Sequence, residues 1–217
     1  MRIAVLGSGN VGRAVAAGLS KAGHDVVVGS RDTSRPELAQ WSAESGVRLV
    51  APAEAGGHGE VLVNATPGGA SAQALSAAGG ADLDGTVVLD LANPLDFSRG
   101  FPPSLSVSNT DSLAESLQRD FPRLRVVKAL NTVNSAVMVD PGRLAESSSL
   151  FIAGDDADAK ATVVEVLASL GWDRGQLFDL GDLAAARGTE AYVLLWVRLL
   201  RSLGTADFNV RVVRAAG

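Results

Sequence analysis

Met1-Arg2-Ile3-Ala4-Val5-Leu6-Gly7-Ser8-Gly9-Asn10-Val11-Gly12 opens the chain. Arg2 to Leu6 reads as a short strand, it breaks into the G-x-G-x-x-G turn Gly7 to Gly12, and Arg13 to Leu19 reads as a helix. Each glycine meets a separate steric demand. Gly7 lets the chain turn off the strand, Gly9 clears the approach of a pyrophosphate, and Gly12 lets the helix pack on the strand. The helix start adds free N–H groups and the positive end of the helix dipole. Gly7, Ser8, Gly9, Asn10, Val11 and Gly12 are therefore candidate contacts to a dinucleotide. The expected fold is α/β, a Rossmann-type doubly wound, mostly parallel sheet with a small C-terminal helical lobe.

Composition narrows the partners. Hydrophobic residues make up 47% of 217 residues, enough for a sizeable core, and the formal net charge of −5 with scattered basic residues argues against nucleic acid or an anionic membrane. With no cysteine and two histidines, His24 and His58, thiol chemistry is excluded and a zinc centre is not expected. The apolar stretch Ala191 to Leu200 is too short to span a bilayer and contains Arg198. No signal peptide is expected ahead of the first strand. A small-molecule partner and a cytoplasmic location are the expectations.

The second strand, Val26 to Val28, ends at Gly29-Ser30-Arg31. An NAD site usually carries a carboxylate there for the ribose 2′-hydroxyl; a guanidinium suits a 2′-phosphate instead. Ser30, Arg31 and Arg35 thus point to NADP(H). Three later strands end in small polar residues: the run from Glu60 in Ala65-Thr66-Pro67, Val87 to Leu91 in Ala92-Asn93, and Arg125 to Leu130 in Asn131-Thr132. Ligands bind at the carboxyl edge of such sheets. Ala65, Thr66, Pro67, Asn93, Asn131 and Thr132 are the candidate lining residues, and Gly68-Gly69 would permit close approach of a ring or ribose.

Helices are expected over Pro36 to Glu44, within Ser104 to Gln118 with Asp111-Ser112 as the cap ahead of Leu113 and Leu117, over Ala159 to Leu170 and over Asp182 to Leu203, with breaks at Gly188 and Gly204. Asp155, Asp156 and Asp158 read as helix capping, and His58 as a surface residue. Phe208 to Val213 reads as a terminal strand or arm. The expected organisation is a dinucleotide-binding domain over residues 1–150 and a small lobe over 151–217 that closes the cleft.

Gly7 to Gly12, Val28-Gly29-Ser30-Arg31, Lys128-Ala129-Leu130-Asn131-Thr132, Gly154-Asp155-Asp156 and Gly188-Thr189-Glu190, in this order, resemble the NADPH-dependent reductases of coenzyme F420. The cytosolic reductase domain of the STEAP metalloreductases is related. The resemblance covers nearly the whole chain. It implies hydride transfer between nicotinamide C4 and C5 of the 5-deazaflavin, with F420 as co-substrate and no catalytic side chain or metal. Archaeal members carry Leu-His-Thr at Leu130-Asn131-Thr132 and a bulkier Ile-Pro-Trp segment at Thr66 to Gly69. Reduction of a flavin or another small acceptor, and a non-catalytic NADP(H)-binding redox sensor, stay open as alternatives. The apolar late helix suggests a homodimer or a folded-back lobe.

Overall fold

Along Arg2–Leu6 (β1) the side chains alternate, Ile3 and Val5 to one face and Ala4 and Leu6 to the other, all buried. A strand apolar on both sides must be covered on both, which demands a helical layer on each face of the sheet. The computed structural model describes residues 1–215 and has this arrangement. The elements after β1 are α1 (Asn10–Lys21), β2 (Asp25–Gly29), α2 (Pro36–Ser45), β3 (Arg48–Val50), α3 (Pro52–His58), β4 (Val61–Asn64), α4 (Ser71–Ala77), β5 (Val87–Asp90), β6 (Leu95–Asp96), β7 (Ser104–Leu105), α5 (Leu113–Asp120), β8 (Arg125–Lys128), α6 (Ser135–Val139), β9 (Leu150–Gly154), α7 (Ala157–Ser169), β10 (Leu177–Asp179), α8 (Ala186–Ala191) and α9 (Val193–Leu203).

The sheet runs β10-β9-β8-β5-β4-β1-β2-β3, parallel except where β8 meets β9. Strand order reverses between β1 and β4, which opens a crevice at their carboxyl ends. Ile3 and Val5 pack with Val15 and Leu19 of α1, Val137 of α6 and Val163 and Leu167 of α7. Ala4 and Leu6 pack with Ala55 of α3, Leu75 of α4, Leu117 of α5 and Ala186 of α8. This is the expected doubly wound α/β fold. Beyond residue 150 the chain adds two strands to the common sheet as well as α7, α8 and α9.

Several local expectations change. Within Ser104 to Gln118 the helix starts at Leu113 with Ser112 as its cap, as expected, Ser112 Oγ accepting from Glu115 N–H at 3.1 Å. Ser104-Leu105 instead pairs antiparallel with Leu95-Asp96. The late helix divides at Tyr192, not at Gly188, which lies inside α8; Gly204 does end α9, in the left-handed conformation at φ 68°. His58 is half-buried, its Nε2 3.2 Å from the Asp25 carbonyl oxygen at the start of β2. Asp156 caps α7 by accepting from Ala159 N–H at 2.7 Å, as its position suggested. The arm after α9 lies along Ser149, whose N–H donates to the Val210 carbonyl at 2.9 Å. Among the described residues no helix is long and apolar enough to cross a membrane.

Helix α8 is tied to α5 by Arg187, whose Nε donates to Glu115 Oε2 at 2.9 Å. That bond, against a smaller desolvation effect, holds the Glu115 carboxyl below its ordinary value of 4.5. A depressed carboxylate stabilises the fold above its unfolded value, and the contribution disappears as pH falls through the folded one. Arg187→Met is expected to cost about 0.5–1 kcal/mol at pH 7, solvent screening included, with the gap to the parent closing below about pH 4. Urea unfolding of both proteins between pH 3 and 7 checks it.

Candidate functional site

The switch-point crevice is a cleft of about 530 Å³, within the range of small-molecule and cofactor sites. Its floor is the glycine turn. A Cβ on Gly12 would lie 1.9 Å from the Gly7 carbonyl oxygen, and one on Gly7, at φ 112°, 2.7 Å from the Ala65 carbonyl oxygen. Both positions are closed to any larger residue. Gly9 is different: an added Cβ meets nothing within 4 Å, so space is kept open above it. Gly7, Ser8 and Gly9 line the cleft; Asn10, Val11 and Gly12 form the first turn of α1 behind them.

The rim beyond β2 is a small polar web. Ser30 Oγ lies 3.1 Å from Ser8 Oγ and donates to the Asp32 carbonyl at 2.9 Å; Arg35 Nη2 donates to Ser8 Oγ at 2.9 Å. Asp32 also lines the cleft, its carboxylate accepting from Ser34 Oγ at 2.6 Å and Ser34 N–H at 2.9 Å, and Ser34 holds that carboxyl below the ordinary carboxylate range. Arg35 Nη1 lies 3.5 Å from Glu37 Oε1, whereas Arg31, exposed at the cleft, has no ion pair or side-chain hydrogen bond among the described residues. Two guanidinium groups and two hydroxyls converge on one end of the cleft, a donor set suited to a phosphate.

The opposite wall includes residues outside the expected set. Pro52, together with Ala70, Gln73, Ala74 and Ala77 of the α4 region, forms a largely apolar side with room for a flat ring. The signal was present in Ala70-Ser71-Ala72-Gln73-Ala74-Leu75, an alanine-rich helix former placed directly after the Pro67 turn. Ala65, Thr66 and Pro67 line the cleft as expected. The Thr66 hydroxyl is engaged by the protein, donating to Asn64 Oδ1 at 2.7 Å and lying 3.0 Å from Ser71 Oγ. Gly68 makes room for protein, not ligand: a Cβ there would lie 2.4 Å from the Asn93 carbonyl oxygen.

Asn93, Asn131 and Thr132 do not line this cleft; they stand farther along the carboxyl edge, after β5 and β8. Asn93 Nδ2 donates to the Asn131 carbonyl at 2.9 Å, and Asn131 Nδ2 returns a bond to Asn93 Oδ1 at 3.0 Å. Leu130, at φ 63°, is one of two non-glycine residues at positive φ among the described residues and sets the direction in which Asn131 leaves the strand. Thr132 Oγ1 is buried without a partner among the described residues.

Beneath the edge lies an ion cluster that strand patterning alone does not reveal. Lys128 Nζ stands 2.8 Å from Asp90 Oδ2 and 2.8 Å from Glu190 Oε1, and the side chains are 0%, 0% and 2% exposed. Burial alone would lower the lysine pKa; the two carboxylates outweigh it and hold the ammonium above its ordinary value. The signal was one charge in each of two buried strand ends, Asp90 and Lys128.

A family described as coenzyme F420-dependent NADP oxidoreductases matches residues 2–94. A protein of Arthrobacter sp. FB24, described as a candidate F420-dependent NADP-reductase, is 48% identical, with a TM-score of 0.94 over 99% of this chain and 100% of its own. A hypothetical protein from Sinorhizobium meliloti is 28% identical, with a TM-score of 0.69 over 86% of this chain and 87% of its own. Metalloreductase STEAP3 of Rattus norvegicus is 33% identical over 206 residues; these are 93% of this chain, which spans 37% of that protein's length.

The two helix-side glycines predict opposite outcomes. Gly9→Ala should leave the thermal midpoint nearly unchanged yet weaken NADPH binding at least about tenfold, because only a bound pyrophosphate competes for that space. Gly12→Ala should destabilise the apoprotein by about 1–3 kcal/mol, the range for forced overpacking. Calorimetry without ligand and fluorescence titration with NADPH separate the two.

Proposed function

Since the chain belongs to the family of coenzyme F420-dependent NADP oxidoreductases, we propose that it transfers hydride between NADP(H) and the 5-deazaflavin of coenzyme F420. The observation that carries the cofactor half is Arg31, a guanidinium at the cleft without an ion pair among the described residues, beside Arg35, Ser8 and Ser30. The glycine turn supports a pyrophosphate: its space above Gly9 is open, and its other two glycines are closed against protein. When bound, NADPH supplies the hydride from nicotinamide C4 to deazaflavin C5, and one proton from water completes the balance.

The residues of this chain bind and orient. Arg31 and Arg35 hold the 2′-phosphate, the glycine turn and the start of α1 hold the pyrophosphate, and the α4 wall with Pro52 takes the adenine. Nicotinamide and acceptor ring then meet near Thr66, Asn93, Asn131 and Thr132, where the Thr132 hydroxyl, without a partner among the described residues, is a hydrogen-bonding group left for a ligand. No side-chain nucleophile is required of the protein, since alignment at near-attack distance does the work. The STEAP3 likeness favours a second reading in which the acceptor is a flavin or another electron carrier. Leu194, Leu195 and Leu203, exposed on α9, support a homodimer. A cytoplasmic location belongs to the same proposal.

Mixing the protein with NADPH and oxidised F420 should bleach the visible absorbance of the deazaflavin, with NADH and FMN giving slower or no reaction. Bound NADPH with no F420 reduction would defeat the acceptor assignment. Arg31→Glu should weaken NADPH binding by about ten- to a hundredfold, the worth of one charge-assisted bond, with little effect on NADH. Equal losses for both cofactors would remove the 2′-phosphate role.

A further inference from the structure

We propose that Lys128 is a positioning residue, its ammonium setting from one buried point the placement of Thr66 at the lip of the cleft, of the acceptor edge and of the C-terminal helices. Only the kinetic consequence drawn below rests on the hydride-transfer reading. An ammonium has three donors, and all three are used: on Asp90 Oδ2, on Glu190 Oε1 and on the Ala92 carbonyl oxygen. The side chain is 0% exposed. Lys128 therefore offers no proton and no surface to a ligand, and its influence passes through its three partners.

The first partner reaches the cofactor cleft by hydrogen-bond polarity. Asp90 Oδ1 accepts from Asn64 Nδ2 at 2.8 Å and from Ala92 N–H at 3.1 Å. An ionised carboxylate only accepts, so the Asn64 amide must present its NH2 to Asp90 and its oxygen to Thr66. The Thr66 hydroxyl then has to donate to that oxygen, at 2.7 Å, so the single Ser71 hydroxyl hydrogen is shared between Thr66 Oγ1, 3.0 Å away, and the Pro67 carbonyl at 3.4 Å. This orients Thr66, which lines the cleft, with its hydroxyl toward the protein.

The second partner is the Ala92 carbonyl, one residue before Asn93. The same lysine lies three residues before Asn131, and Asn93 and Asn131 bond each other reciprocally. The third partner, Glu190 of α8, also accepts from Leu113 N–H at 2.8 Å and Ala114 N–H at 3.1 Å, which joins α8 to the start of α5. Hydride transfer is sensitive to displacements of the order of an ångström, so a shared origin for both sides of the reaction is a device for holding the two rings in register.

The test uses the full chain. The triple variant Lys128→Met, Asp90→Asn, Glu190→Gln removes all three charges together, which avoids leaving one ion buried alone. Thr66→Val cuts the polar chain at its far end, leaves the ion cluster intact, and serves if the triple variant does not fold. In a folded triple variant, NADPH affinity should stay within about threefold of the parent. Single-turnover reduction of F420 should fall at least about a hundredfold, with a full primary isotope effect from 4-deuterated NADPH. Thr66→Val should slow the same step about tenfold. Without any acceptor, amide exchange in peptides covering Ala92-Asn93 and Leu130 to Thr132 should accelerate in the triple variant. Unchanged exchange, or a folded variant that transfers hydride at the parental rate, overturns the positioning role. A parent that never reduces F420 overturns the proposed acceptor alone, and the exchange measurement then decides the role of Lys128.

Discussion

A lysine and two carboxylates buried together at the centre of the carboxyl edge are the constraint on which the rest of the structure depends. Desolvating such ions is costly, and breaking one partner of a buried pair typically costs about 3–5 kcal/mol. The cluster is sustained because every strong hydrogen-bonding position is answered: two carboxylates and a carbonyl on the ammonium, an amide and a backbone N–H on Asp90, two helix-start N–H groups on Glu190. Those two N–H groups also set partial positive charge against the second carboxylate, which the single lysine does not neutralise. Strands β5 and β8 and helices α5 and α8 therefore meet at one point with little freedom to slide.

Around that point the carboxyl edge divides into two regions of different character. One end, at the β1–β2 side, is a cleft with cations at the rim in a chain of net charge −5, so the local field there opposes the global one. Anionic ligands are drawn to that rim and not to the surface at large. The other end, at Asn93, Asn131 and Thr132, is neutral and polar, with side chains that bond each other before any ligand arrives. A cationic rim and a neutral, self-bonded edge are thus separate environments on one side of the sheet.

The elements whose periodicity is local were legible. Gly7 to Gly12, the strand runs, the Asp156 cap and the Gly204 stop each carry their signal within a few residues, and the structure has them there. Gly12 is the sharpest case, since only backbone contact with Gly7 explains why no Cβ fits. The start of α5 was legible too, in Asp111-Ser112 ahead of Leu113, and Ser112 is the cap. What the local sequence did not carry is that Glu190, far along the chain, reaches the N–H groups of Leu113 and Ala114.

By itself, then, the sequence determined the strand–turn–helix at the start, the alternation that demands two covering layers, and the presence of a cation, not a carboxylate, directly after β2. Each follows from contacts within a few residues or from side-chain chemistry that does not depend on the fold. Only the tertiary structure decided that Asp90, Lys128 and Glu190 share one site, that the Thr66 hydroxyl faces protein, and that Asn93 pairs with Asn131. Those outcomes depend on strands adjacent in the sheet but distant in the chain, and hydrogen-bond polarity is settled only when all partners are in place.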